Sequence, residues 1–316
     1  MKQAFVTGGS GFVGRELIAE LVRRGVSVRA LARSDAAAAV VSAAGAAAAR
    51  GDLHDRAAME AAMRDADVVF HSAAYVKQHG PRAEFFAANV VGTENTLAAA
   101  KAAGVKRFVH IGTEAVLADG EPIVHVDETR PRAARPIGLY PLTKGLAEAA
   151  VIAANGGAFE TVVVRPRFIW GKGDTSLLPE LVSAVKAGRF GWFDGGRYPT
   201  STCHVRNVVE GTIAAAEKGR GGEIYFLTDG APVEFRAFIT EYLATQGVDA
   251  GSRSVPGWLA RAVAAATSWM ARPPLTRTAI ALVGHEVTVD DSKARRELGY
   301  VGHVSREAGL AEMRGA

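Results

Sequence analysis

Short runs of β-branched and other apolar residues alternate, along the first half of the chain, with Ala- and Leu-rich stretches whose apolar positions recur at helical spacing. Ala4-Phe5-Val6 predicts a first strand, residues 14–24 a helix and Val26 to Leu31 a second strand, together one βαβ unit. Further strands are expected at Ala48-Ala49-Arg50, Val68-Val69-Phe70, 107–111 and 161–164, with helices near 56–64, 85–103 and 138–154. Strands separated by helices in this way build a parallel sheet covered on both faces, so the fold class is α/β and doubly wound. Residues 36–49 are mostly alanine, the best helix former, and predict a closely packed helix rather than a linker.

Beyond Arg165-Pro166 the pattern loosens into a stretch rich in Gly, Pro and aromatics, including Trp170, Gly171, Phe190, Trp192 and Phe193, which marks a smaller, irregular lobe. Residues 204–218 then read as a helix and 223–227 as a strand able to rejoin the sheet. The expected organisation is a sheet domain over 1–165 completed by 204–228, and a substrate lobe over 166–203 and 229–316. No fixed-period repeat is visible.

Composition narrows the class. With 48% hydrophobic and 22% charged residues in 316, the chain is neither disordered nor fibrous. A single cysteine, Cys203, cannot form an internal disulfide and fits a reducing cytoplasm, the expected location. Basic residues outnumber acidic ones by 37 to 33 but are scattered, so no nucleic-acid partner is expected. Met1-Lys2-Gln3 runs straight into the first strand, leaving no room for a secretory leader. Val255 to Ala271, with Arg261 inside it, falls short of the roughly 20 apolar residues of a transmembrane span. It predicts an amphipathic or buried helix, with peripheral membrane contact as the other option.

Between the first strand and the first helix stands Thr7-Gly8-Gly9-Ser10-Gly11-Phe12-Val13-Gly14. Gly8, Gly11 and Gly14 have the spacing that lets backbone approach a pyrophosphate, with Phe12, Val13 and Gly14 opening a helix whose free N–H groups face the phosphates. This is the dinucleotide loop of a Rossmann sheet, and it sits in the required strand-loop-helix context. The second strand ends Val28-Arg29-Ala30-Leu31-Ala32-Arg33-Ser34, without the acid that would hold the ribose of NAD. Arg33, with Arg29 and Ser34 nearby, suits a 2′-phosphate, so NADP(H) is favoured and NAD(H) remains the alternative through Asp35. Asp52 can accept from an adenine amino group while Leu53 packs the ring, although a turn Asp that caps the next helix explains the same residue. Ala73 and Ala74 are small where a cofactor passes close to backbone.

Tyr140 and Lys144 lie four apart, on one helix face. A phenol with its usual pKa near 10 serves acid–base chemistry when a neighbouring cation stabilises the phenolate, and Lys144 is placed to be that cation. No metal-ligand cluster is expected.

These motifs, with GDL at 51–53, HSAA at 71–74, NVVGTENT at 89–96, RFVHIGTEAV at 107–116, YPLTK at 140–144, RPRFIWG at 165–171 and CHVRNVVEG at 203–211, resemble the extended branch of the short-chain dehydrogenase/reductase superfamily over essentially the whole chain. The resemblance implies Tyr140 as general acid–base, Lys144 as the ligand of the nicotinamide ribose, Thr113 as a hydrogen-bond partner of the substrate carbonyl, and Asn89 as a support for the lysine. Pro166 falls at a cofactor-contacting position. Gly112 stands where a second Ser is usual, so one polarising hydroxyl is missing. Helices near 89–103 and 138–154 would form the interface of a homodimer.

Nucleotide-sugar members carry an Asn where this chain has Phe168, a phosphate-binding Arg where it has Thr200, and an Asp at Asn207; Arg167 or Arg197 would have to compensate. Dehydratases carry Thr-Asp-Glu where this chain reads Thr113-Glu114-Ala115. Glu114 is either a substrate contact or a loop carboxylate in solvent. The closest resemblance is to the 3β-hydroxysteroid dehydrogenase-like and dihydroflavonol-reductase-like enzymes, which implies a bulky apolar ketone or alcohol. Tyr75, Phe168, Trp170 and Trp192, with Trp258 and Trp269 further along, are the expected lining, against the plainer reading that most of them build the second lobe's core. Epimerase or dehydratase action on a nucleotide sugar, and a non-catalytic NADP(H) sensor, are the competing readings.

Overall fold

The computed structural model describes residues 1–77, 79–267, 269–270 and 275–315, so Ser268 and Ala271 of the predicted apolar segment fall outside it. Seven parallel strands form the central sheet: β1 (Gln3–Thr7), β2 (Ser27–Ala32), β3 (Ala47–Arg50), β4 (Val68–His71), β5 (Arg107–Ile111), β6 (Glu160–Pro166) and β7 (Ile224–Leu227). Their spatial order is β7-β6-β5-β4-β1-β2-β3. Strand order reverses between β1 and β4, so a crevice opens above their carboxyl ends, where ligands bind in sheets of this kind.

Period-two alternation sorts the strand residues onto two cores. Ala4 and Val6 of β1, Val68 and Phe70 of β4, Val109 and Ile111 of β5 and Val162 and Val164 of β6 face one layer. Phe5, Val69, Phe108 and Val163 face the other. Helices α1 (Phe12–Arg23), α2 (Asp35–Ala43) and α6 (Val205–Lys218) cover the first face through Leu17, Ile18, Leu21, Val41, Val208 and Ile213. Helices α3 (Arg56–Met63), α4 (Gly92–Ala102) and α5 (Leu139–Ala153) cover the second through Met59, Met63, Leu97, Ala100 and Val151.

Three expectations are corrected. The alanine-rich run is a helix only to Ala43; Gly45, at φ +97°, turns the chain back into edge strand β3, and Val41 alone is fully buried on α2, so the helix is not closely packed. The helix expected at 85–103 is built in pieces: a turn at Arg82–Phe85, a π-helical turn at Phe86–Val91, then α4. The lobes also interleave across the expected boundaries. Ile123–Val126, from within the first 165 residues, pairs with Val287–Val289, in a small sheet that includes Pro199–Thr200 and Val233–Glu234. Conversely, Ala294, Leu298 and Tyr300 from the far C-terminal part pack into the α1–α6 core.

Candidate active site

The glycine loop is tight because side chains cannot fit there. A Cβ on Gly8, which has φ +70°, would stand 2.6 Å from the Ala73 nitrogen; one on Gly14 would stand 2.2 Å from the Gly8 carbonyl oxygen. The turn closes through the Gly11 N–H donating to Gly8 O at 3.0 Å. Gly11 caps α1 without any side-chain hydrogen bond, so the first amides of Phe12, Val13 and Gly14 open into the crevice, a cradle that fits a diphosphate. Gly9, which the spacing argument passed over, is required too: a Cβ there would press on Ile18, Ala30 and Val41.

At the end of β2, Arg33 is exposed. Its predicted helpers are occupied elsewhere. Arg29 donates to Gln3 Oε1 and Arg64 O, Asp35 pairs with Arg50, and Ser34 caps α2 by accepting from Ala37 N. Asp52 accepts from His54 N at 3.0 Å, and the helix cap that was the alternative reading for it belongs to Asp55, which accepts from Ala58 N. Leu53 packs beside Gly92, and its carbonyl accepts from Asn95 Nδ2 at 3.0 Å. Ala73 and Ala74 follow β4, and the backbone of Ser72 and Ala73 lies directly over Gly8.

Tyr140 enters at the start of α5, a helix held against β6 by a buried bidentate pair: Arg165 Nε and Nη2 donate to the two oxygens of Glu148 at 2.7 and 2.6 Å. Beside the phenol stands Thr113, whose hydroxyl donates to Glu114 Oε2 at 2.9 Å and accepts from Ala115 N. Glu114 is therefore neither a solvated carboxylate nor free for substrate. It is 3% exposed and pairs with the equally buried Arg167 at 2.9 Å. Arg167 also donates to Thr200 Oγ1 and Leu282 O, which removes it as a substitute for a missing phosphate ligand. Burial, and then the charge of Glu114, hold the Tyr140 phenol well above its usual range, while Thr113 pulls the other way.

Lys144 follows Tyr140 by one turn on α5. Its ammonium is buried, donates to Ile111 O at 2.8 Å and lies 3.3 Å from His110 Nε2; burial brings its pKa down to about 8, against the opposing charge of Glu148. Asn89 supports a neighbour of the lysine rather than the lysine. From the π-helical turn it accepts from Tyr75 N at 2.6 Å and donates to Tyr75 O and Thr143 Oγ1. Two histidines were missed in the sequence. His71 and His110 are register partners on β4 and β5, stack at 5.4 Å and are fully buried; burial depresses His71 to about 3 and keeps both neutral. His71 is held between Thr7 Oγ1 at 2.7 Å and Thr93 Oγ1 at 2.9 Å, tying β1 to α4. Their signal was a histidine at the inward end of each of two neighbouring strands.

The aromatic lining is mostly core. Phe168, at φ +45°, packs edge-on against Phe235 and Phe238. Trp170 is wholly buried and donates to Asp229 Oδ2 at 2.7 Å, and Trp192 donates to Gly251 O at 2.9 Å. Tyr75 is half-buried, with its ring edge-on to Phe85. Trp258 and Trp269 face outward instead. Pro166 ends β6, hydrogen-bonded alongside β7. Among the described residues no cluster of His, Cys, Asp or Glu could hold a metal, and no helix is long and apolar enough to cross a membrane.

A switch-point crevice with a glycine cradle on one strand and a Tyr-Lys helix beside the next is the framework of the extended short-chain dehydrogenase/reductases, oxidoreductases that act on hydroxyl and keto groups. The sequence profile of the 3-beta hydroxysteroid dehydrogenase/isomerase family matches residues 5–256, and the chain belongs to that family. It is 53% identical, over 99% of this chain and 96% of the relative, to the 4-hydroxy-2-methyl-3-oxo-4-farnesyl-3,4-dihydroquinoline-1-oxide ketoreductase of Stigmatella aurantiaca. A 2-alkyl-3-oxoalkanoate reductase of Stenotrophomonas maltophilia is 32% identical, over 98% of this chain and 97% of the relative. Among solved structures, that of gox2253 matches with a TM-score of 0.81 at 27% identity, covering 100% of this chain and 98% of that one.

Proposed function

We propose that this protein is an NADP(H)-dependent ketone reductase whose substrate is bulky and apolar. The observation that carries the reading is the placing of Tyr140 and Thr113 beside the buried Glu114–Arg167 pair, in a sheet whose first strand carries the glycine cradle. Gly8, Gly11, Phe12, Val13 and Gly14 would hold the diphosphate, Arg33 the 2′-phosphate, Asp52 and Leu53 the adenine, and Ala73, Ala74, Lys144 and Pro166 the nicotinamide half. A bound nicotinamide supplies the hydride that reduces the carbonyl carbon. Tyr140 gives its proton to the carbonyl oxygen. Thr113, its rotamer fixed by the bond to Glu114, keeps its oxygen beside the phenol. Asn89 acts one step removed, by fixing the Tyr75 backbone at the rim and Thr143 next to Lys144.

The substrate class is supported by the 53% identical relative, named for a farnesylated ketone. It is supported too by Phe168 and by Arg167's engagement with Glu114, which leave a sugar diphosphate without its polar partners. Val91 and Leu146 are exposed near α4 and on α5, as a homodimer through those helices would need.

Titration with NADPH and NADH, followed by NADPH oxidation with apolar ketones and with nucleotide sugars, tests the assignment. Tyr140→Phe should keep NADPH binding within a few-fold and abolish reduction; retained turnover, or micromolar binding of a UDP- or GDP-sugar, overturns the reading. Arg33→Ala should weaken NADPH about tenfold or more and NADH hardly at all, a charge-assisted phosphate contact being lost from one cofactor only.

A further inference from the structure

Among the described residues, the exposed large apolar side chains are scattered along the chain, except in one stretch where five fall close together. Trp258, Leu259, Val263, Trp269 and Met270 are all exposed within thirteen residues, Trp258 by 66% and Trp269 by 83%. The helix Gly257–Ala266 explains the first three. It packs its small residues Gly257, Ala260 and Ala264 inward, the two alanines in a cluster with Ile280, and turns Trp258, Leu259, Ala262, Val263 and Ala266 outward. An ordinary surface helix does the reverse, with large apolar residues in and polar ones out.

Charge adds a second, independent observation. From Ala250 to His285 the sequence holds Arg253, Arg261, Arg272 and Arg277 and no Asp or Glu. Arg253, Arg261 and Arg277 are exposed. The acid nearest the helix is Asp194, which accepts from Gly257 N at its first turn. A second copy of the chain would set the same arginines against each other, whereas anionic headgroups would neutralise them.

The patch adjoins the candidate active site. Ile280, on which the helix packs, lies two residues from Thr278, whose hydroxyl donates to Ile137 O at 3.1 Å and abuts Gly138, the cap of the helix that carries Tyr140. Leu282 O, further along the same helix, Arg277–Val283, accepts from Arg167.

We propose that the face formed by Trp258, Leu259, Val263, Trp269 and Met270 docks on an anionic lipid bilayer, with the tryptophans at headgroup depth and the arginines on the phosphates. The helix is ten residues long and lies along the surface rather than across it. An apolar ketone dissolved in the bilayer would then enter beside Tyr140 without crossing water. This last step rests on the proposed reaction; the docking does not.

The test uses the full chain without cofactor or substrate, co-sedimented with vesicles of phosphatidylcholine containing about 30% phosphatidylglycerol, and with pure phosphatidylcholine. Trp170 and Trp192 are buried, so a blue shift of tryptophan emission on binding reports Trp258 and Trp269 alone. The expected result is binding to the anionic vesicles, a blue shift, and release in high salt. Trp258→Ser combined with Trp269→Ser should lower partitioning about tenfold or more, with the thermal midpoint unchanged. Arg253→Glu combined with Arg261→Glu should abolish the preference for anionic lipid. No binding, or equal binding by the double-serine variant, overturns the proposal. So does a wild-type dimer in buffer that the double-serine variant turns into a monomer, since the face then belongs to a second copy. Ketone reduction is read separately, so failure of either assignment leaves the other standing.

Discussion

A tyrosine that gives a proton to a ketone oxygen must hold that proton at the working pH. Tyr140 is held protonated by burial and by the Glu114 carboxylate, so its own deprotonation should depress kcat only above the phenol's ordinary value near 10, whereas loss of the Lys144 charge near pH 8 should show in cofactor binding. The sign follows directly, because a negative neighbour disfavours phenolate and its removal favours it. Glu114→Gln should therefore move the alkaline decline of kcat to lower pH, since the carboxylate that disfavours phenolate is then gone. An unshifted decline would show that burial alone sets the phenol. The same variant leaves Arg167 without its carboxylate and should cost about 3 kcal/mol in urea unfolding, typical of breaking a buried pair from one side. The sequence marked Glu114 and Arg167 as charges near the site. It did not show that they pair, because they lie 53 residues apart and only the approach of the Thr113–Leu117 turn to the end of β6 joins them.

Elements position the site through packing that tolerates no added atom. Gly14→Ala would set a methyl 2.2 Å from the Gly8 carbonyl and force α1 away from β1. Overpacking of that kind costs about 1–3 kcal/mol, and NADPH affinity should fall with it; a thermal melt and a cofactor titration measure both. Gly145→Ala makes the contrast: its nearest neighbour is the Arg132 Cδ at 3.7 Å, so stability should hold or rise. The glycine loop was legible because its rule is local, a strand, a fixed spacing and a helix. The π-helical turn at Phe86–Val91 was not, because no residue type marks it and the four-residue turn before it is too short to show the shift of phase that an extra residue makes. That turn places Asn89 on the Tyr75 backbone and on Thr143, which no spacing argument reaches.

Over the whole molecule, the sheet and its order of strands and helices were readable from alternation alone, while the division into lobes was not. Alternation says which residues are inward, but not which part of the chain supplies the opposite wall. Asp229 shows how the parts are tied. It accepts from Trp170 Nε1, Thr202 Oγ1, His204 N and Asn207 Nδ2, at 2.6 to 2.8 Å. Asn207 in turn donates to Val304 O and accepts from Val304 N. Asp229→Ala would strip four donors of their acceptor at once, each costing about 1–3 kcal/mol where it stays buried. The expected outcome is loss of several kcal/mol, read as a large fall in the urea midpoint; a loss under about 1 kcal/mol would show that the junction is not held there.

The return of Ala294, Leu298 and Tyr300 to the α1–α6 core also bears on how the protein is born. β1 and the glycine loop leave the ribosome well before Ala294, Leu298 and Tyr300, which complete the same core layer where α6 meets β7. The glycine loop and the far edge of the layer it belongs to are thus completed at widely separated moments of translation. Premature termination anywhere before residue 292 leaves the α6 and β7 edge of that layer uncovered.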